Sequence, residues 1–143
     1  MMINVFILEL IVLMVVFVMS WFLWDKLRPK RIFVIEDCES DRMLFKININ
    51  VKNVAFNYYS SVDGIIADIA LHRPDAVIID YLLAGKTRGD RLLEYCELNK
   101  INSILVTGYE GDILGVDNSK IIRKSAEREY YETVENWIKR AVA

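Results

Sequence analysis

Residues Met2 to Trp24 form an almost unbroken apolar run, which ends abruptly in Asp25-Lys26-Leu27-Arg28-Pro29-Lys30-Arg31. At 1.5 Å rise per residue, a helix from Ile3 to Trp24 reaches roughly 33 Å, enough to cross a bilayer core. Trp21 and Trp24 sit at its polar end, where amphipathic rings favour the headgroup layer. A cleaved signal peptide is the competing reading, and a buried helix a third. The signal peptide fits poorly, because no Lys or Arg precedes the run and no small-x-small cleavage site follows it. All the nearby positive charge lies on the C-terminal side, which by the positive-inside rule places the following domain in the cytoplasm. Residues 1–24 therefore read as a transmembrane helix, 25–30 as a basic juxtamembrane linker and 31–143 as one soluble domain. Glu9, the single charge in the run, fits a side chain snorkelling to the outer interface, with helix association or a functional carboxylate as alternatives.

Residues 31–143 are enough for one domain with one core. They carry 15 Lys and Arg against 18 Asp and Glu, so no basic face stands out and nucleic-acid binding has no electrostatic support. Cys38 and Cys96 lack metal-ligand spacing, and a cytoplasmic domain does not favour a disulfide. Both read as small buried side chains. No internal repeat or low-complexity tract is present.

Arg31-Ile32-Phe33-Val34-Ile35 is a strand candidate that stops at Glu36-Asp37. Ser40 or Asp41 can cap a helix in which Met43, Leu44 and Ile47 share a face. Val54 to Tyr59 reads as a second strand, followed by a helix capped by Ser61, with Val62, Ile65, Ile66 and Ile69 at helical spacing. Asp75 to Asp80 is a third strand, apolar in the middle as expected when both faces are covered. A helix from Gly89 or Asp90 turns Leu92, Leu93 and Cys96 inward. Ile101 to Thr107 and Lys120 to Arg123 are the fourth and fifth strands. The last helix carries Tyr130, Val134, Trp137, Ile138 and Ala141 on one stripe. Strands alternating with helices imply a doubly wound α/β fold around a five-stranded parallel sheet.

In such a fold a site forms outside the carboxyl ends of the strands, where the strand order reverses. Strand one ends in Glu36-Asp37, strand three in Asp80, strand four in Thr107 and strand five in Arg123-Lys124. Three clustered carboxylates repel one another and need a cation; oxygen-only, partly hydrated ligation suits Mg²⁺. With charge neutralised by Mg²⁺ and Lys124, one carboxylate can attack a phosphoryl group and hold it as an acyl phosphate.

This order of motifs, IFVIED, DAVIID, ILVTG and KIIRK, resembles the receiver domain of bacterial response regulators over essentially all of residues 31–143. The resemblance implies a flavodoxin-like fold and a phospho-acceptor role in two-component signalling. Asp80 would accept the phosphoryl group. Glu36, Asp37, Asp80 and the backbone carbonyl of Leu82 would hold Mg²⁺. Thr107 and Lys124 would contact the phosphoryl oxygens, with Gly108 as the small residue beside the threonine. Leu82 and Tyr109 would flank the path of an attacking water and shield the phosphate. The phosphoryl donor would be a histidine kinase or phosphotransfer protein, and the chain would sit in the bacterial inner (plasma) membrane as a single-pass protein. It would be a signalling phospho-acceptor rather than a conventional enzyme.

Several positions depart from the family. Ser125 stands where Pro usually follows the strand-five Lys, so a cis peptide is not expected. Ile121 occupies the aromatic switch position. Ala84-Gly85 replaces a common Pro. The segment from Thr107 to Lys124 is short, leaving a stunted helix at best. These departures leave the chemistry intact and alter the relay to a partner. The rival reading is a non-phosphorylated receiver-like module that binds protein at the membrane. A haloacid-dehalogenase-type hydrolase would need an Asp where Leu82 stands. A phosphotransfer protein would need a usable His, and His72 before Pro74 reads as a surface or capping residue. No glycine-rich phosphate loop is present.

Overall fold

The computed structural model describes residues 2–84 and 88–143. The apolar run forms α1, Met2–Leu27, a 26-residue helix. Its stretch Phe6–Leu27 is long and apolar enough to cross a membrane, and the rest of the chain buries none of it. Strand β1 begins at Lys30, so only Arg28 and Pro29 separate the helix from the sheet.

Five strands follow, namely β1 Lys30–Ile35, β2 Val54–Tyr59, β3 Ala76–Asp80, β4 Asn102–Thr107 and β5 Ile121–Arg123. All pair in parallel in the order β2-β1-β3-β4-β5. The interleaved helices are α2 Glu39–Asn48, α3 Ile65–His72, α4 Gly89–Leu98 and α5 Arg128–Ala141. This is the five-stranded doubly wound architecture expected from the alternation of elements. Strand side chains alternate between faces with period two. Ile32, Val34, Ile78 and Val106 pack with Phe45 of α2 and Tyr130, Val134 and Ile138 of α5. Phe33, Ile35, Val77 and Ile79 pack on the other face with Ile65, Ile69, Leu92 and Cys96 of α3 and α4.

Five local expectations are corrected, the first being that neither Ser40 nor Asp41 caps α2, which starts at Glu39 behind Cys38. Helix α2 buries Phe45 and the following Ile49, while Met43, Leu44 and Ile47 are exposed. The reason is register: Phe45 meets the rings of Phe56 and Tyr58 on β2, at 6.1 and 6.2 Å between centroids. Asp41, one turn earlier on the same face, is drawn toward the site. Ser61 does not cap α3, which starts at Ile65 behind Gly64 in a left-handed conformation. Its hydroxyl accepts instead from the Asp63 N–H, a local turn. Ile66 accordingly faces solvent, with Ile65 and Ile69 inward. Cys38 is exposed just before α2, while Cys96 is buried and its thiol pKa is pushed up to about 12 by burial.

Between β4 and β5 no α-helix occurs among the described residues. The chain makes only a single 3₁₀ turn at Asn118–Lys120, with Asp117 accepting from the Ser119 N–H at 2.8 Å. Ile113 is inserted into the core from this segment. Gly85 lies outside the described residues. No cis peptide occurs among those described, Lys124–Ser125 included.

Candidate functional site

Parallel strands all deliver their last residues to one edge, and the strand order reverses between β1 and β3. Glu36 follows the last residue of β1, Asp80 ends β3, Thr107 ends β4 and Lys124 follows β5. The carboxylates of Glu36, Asp37 and Asp80 each place an oxygen within 4.8 Å of the others. The Lys124 ammonium donates to Glu36 Oε2 at 2.5 Å and Asp41 Oδ2 at 3.1 Å, and lies 3.1 Å from Asp80 Oδ2. Glu36, Asp80 and Thr107 are buried, Asp37 is half-buried.

Each group is oriented by a second contact. Glu36 Oε1 accepts from the Cys38 N–H at 3.1 Å, and Asp37 Oδ2 from the Ala84 N–H at 2.9 Å. Asp80 Oδ1 accepts from the Leu82 N–H at 3.3 Å. Thr107 Oγ1 accepts from the Tyr109 N–H at 3.0 Å, which leaves its own hydroxyl hydrogen available to donate. The Thr107 carbonyl accepts from the Lys124 N–H at 2.7 Å, tying the ends of β4 and β5 together.

Burial raises the pKa of the Glu36 carboxyl, to about 7, against the opposing pull of Lys124. For Lys124 burial acts downward, but the Glu36, Asp80 and Asp41 carboxylates outweigh it and the ammonium is held strongly protonated. Lys124 thus contacts three carboxylates, with Asp37 beside them, and the cluster keeps a surplus of negative charge.

Three supporting residues were not singled out for the site from sequence. Asp41 is a third partner of Lys124. Arg42 donates through one nitrogen to the carbonyls of Glu36 and Asp37, at 2.6 and 2.8 Å, bracing the acid pair. Arg123 donates to the carbonyls of Tyr109 and Gly111 and fastens the loop after Thr107. The one sequence signal for Asp41 and Arg42 was their position in the first turn of the helix after the acid pair. Arg123 had no signal beyond adjacency to Lys124.

The remaining expected residues take these places. Gly108 is exposed, and a Cβ there would meet nothing within 4 Å, so its small size is not demanded by neighbouring atoms. Leu82 and Tyr109 are both exposed, and the Tyr109 ring lies 6.1 Å from that of Tyr81. Ile121 is half-buried against the α3–α4 side of the core. A cavity of about 200 Å³ opens behind Lys124, walled by Phe45, Tyr130 and Tyr131 and bordered by Ser125.

No protein-family model matches the chain, and neither does any curated protein. Solved structures do. The signal receiver domain of a protein assigned as a Luxo repressor from Vibrio parahaemolyticus aligns with TM-score 0.64 and 22% identity, over 80% of this chain and 93% of that one. The N-terminal domain of a response regulator/sensory box/GGDEF three-domain protein from Carboxydothermus hydrogenoformans gives 0.63 at 13%, over 79% and 94%. The receiver domain of the Francisella response regulator 1452 gives 0.61 at 16%, over 78% and 98%. At such identities the likeness is one of fold, and the part of this chain that follows α1 has the fold of response-regulator receiver domains.

Proposed function

We propose that the chain is a membrane-anchored phospho-acceptor receiver module of a two-component phosphorelay, which takes a phosphoryl group onto Asp80 and signals through a partner protein. One observation carries the reading: the Lys124 ammonium contacts both Glu36 and Asp80 at the edge where the strand order reverses. The receiver fold supports it, and a histidine kinase or phosphotransfer protein is the partner that fold suggests.

The donor set fits Mg²⁺. Three carboxylates converge with excess negative charge and no nitrogen or sulfur ligand among them, as a hard cation requires. Glu36, Asp37, Asp80 and the Leu82 carbonyl would hold it, and bound Mg²⁺ would neutralise charge on the phosphoryl oxygens. The chain's own residues do the rest. An Asp80 carboxylate oxygen bonds to phosphorus as the donor's nitrogen–phosphorus bond breaks. Lys124, already beside Asp80, pairs with a phosphoryl oxygen, and the free Thr107 hydroxyl hydrogen donates to another. Charge neutralisation and positioning are the whole contribution, as phosphoryl transfer demands.

Membrane anchoring rests on the length and apolarity of α1, and the positive-inside rule would put its basic end in the cytoplasm. A reporter fused after Ala143 should be active only in its cytoplasmic form. Activity of a periplasm-only reporter would refute that orientation. The absence of a helix between β4 and β5, among the described residues, favours the second reading, a binding module that works without phosphate. Fluorine NMR of the full chain in detergent with Mg²⁺ and beryllofluoride separates the two. A phospho-acceptor should give bound fluoride signals that vanish in Asp80→Asn. A folded wild-type chain without them would favour the binding module.

A further inference from the structure

Composition suggests a domain of near-balanced charge, yet the fold gathers exposed cations where the strands begin and a carboxylate cluster where they end. We propose that the amino-terminal edge of the sheet docks on anionic lipid headgroups of the bilayer that holds α1. The proposal rests on the anchoring reading above and adds an oriented, lipid-bound state to it.

The first support is reach. Arg28 and Pro29 alone separate α1 from β1, and two extended residues span at most about 7 Å. Arg28 also grips Asp75 through two nitrogens, at 2.8 and 2.9 Å, just before β3. The edge where β1 and β3 begin is therefore held within about one Debye length of the helix end.

The second support is charge. Helices in this fold run antiparallel to the strands, so their last turns gather at the amino-terminal edge. Lys52, Arg73, Lys100 and Arg140 lie there and are exposed. Among the acidic residues of this edge, Asp75 is paired with Arg28, Glu97 with Lys120 and Glu135 with Lys139. Arg73 and Lys100 occupy left-handed turns, with φ of 43° and 57°. Gly or Asn ordinarily fills such positions, so long cations there are not explained by backbone preference.

The third support is apolar. Ile47, Leu71 and Leu98 close α2, α3 and α4 and are 77%, 76% and 77% exposed. Apolar tips set among cations match the boundary between headgroups and acyl chains. The opposite edge carries Glu36, Asp37 and Asp80, with Asp63 and Asp112 exposed in its loops. A negative membrane surface attracts one edge and repels the other, so the docked domain presents its acidic site away from the bilayer.

The test uses the full chain in nanodiscs of phosphatidylcholine alone or with added phosphatidylglycerol. A fluorophore is placed at Leu71→Cys or, on the site edge, at Leu82→Cys, each with Cys38→Ser. Headgroup nitroxide lipids then quench by proximity. We expect strong quenching at position 71 in anionic discs and little at position 82. Arg73→Asn and Lys100→Asn keep the left-handed turns, and each should shift the docked population roughly fivefold toward release. Chains that insert but quench equally in neutral and anionic discs overturn the docking and leave the anchor standing. Quenching that grows with the number of chains per disc assigns the edge to a second copy and also overturns it. Chains that never enter the discs overturn the anchor, and the docking with it.

Discussion

Gly89 opens α4 against the backbone of the acceptor strand. A Cβ at this position would lie 2.2 Å from the Asp80 carbonyl oxygen and 2.8 Å from the Tyr81 Cα. Backbone cannot rotate away as a side chain can, so Gly89→Ala should cost roughly 1–3 kcal/mol and displace Asp80. Denaturant unfolding would show the loss; a stability equal to wild type would show that the contact yields. Leu82 and Tyr109 make a kinetic prediction. Neither offers a carboxylate or amide to orient an attacking water, and the acyl phosphate should be long-lived. Leu82→Asn with Tyr109→Glu should speed dephosphorylation roughly tenfold, about 1.4 kcal/mol of barrier. An unchanged decay after donor removal would reject the shield; the exposure of both side chains makes that a demanding test. At this scale the strand-end acids, Thr107 and Lys124 were legible because strand endings are local signals. Arg42, Asp41 and Arg123 were not, because what they touch is set by how helix and loop pack back over the edge.

Among the elements, the junction between α1 and the sheet is held by a side-chain pair far apart in sequence. Burial acts to raise the Asp75 pKa, but Arg28, the Arg31 N–H and Lys30 outweigh it and hold the carboxyl below its ordinary 3.8. A carboxyl depressed in the folded state stabilises fully above the unfolded value and loses that contribution as pH falls through the folded one. Asp75→Asn should therefore cost about 1 kcal/mol at neutral pH, since the pair is partly exposed and screened. The gap to wild type should hold down to about pH 5 and narrow below the ordinary carboxylate range. A gap that is flat through that range in thermal melts would mean the pair contributes nothing through its charge. Helix α2 tells a different story. Helical spacing puts Met43, Leu44 and Ile47 on one apolar face, yet that face is exposed. Contact with Phe56 and Tyr58 decided for Phe45 instead. Phe45→Ala should consequently cost about 3–5 kcal/mol. Met43→Ala, on the exposed face, should cost less than about 0.5 kcal/mol. Reversal of that ranking would contradict the register. Periodicity announces that a helix exists more reliably than which side it buries, because the choice belongs to the partner surface.

For the whole molecule, the fold was legible because alternation of strand and helix over one domain length admits few arrangements. The strand order then follows from right-handed crossovers and burial of the central strands. The segregation of charge between the two edges was invisible in a linear count, since cations in turns at one edge alternate along the chain with acids at the other. In the proposed function, Glu36, Asp37, Asp80, Thr107 and Lys124 act together as one phospho-acceptor. Intact-mass spectrometry of the full chain in detergent, incubated with Mg²⁺ and acetyl phosphate, tests it most directly. One added phosphate is expected, absent in Asp80→Asn and greatly reduced in Asp37→Ala. Phosphate that persists in Asp80→Asn would contradict it.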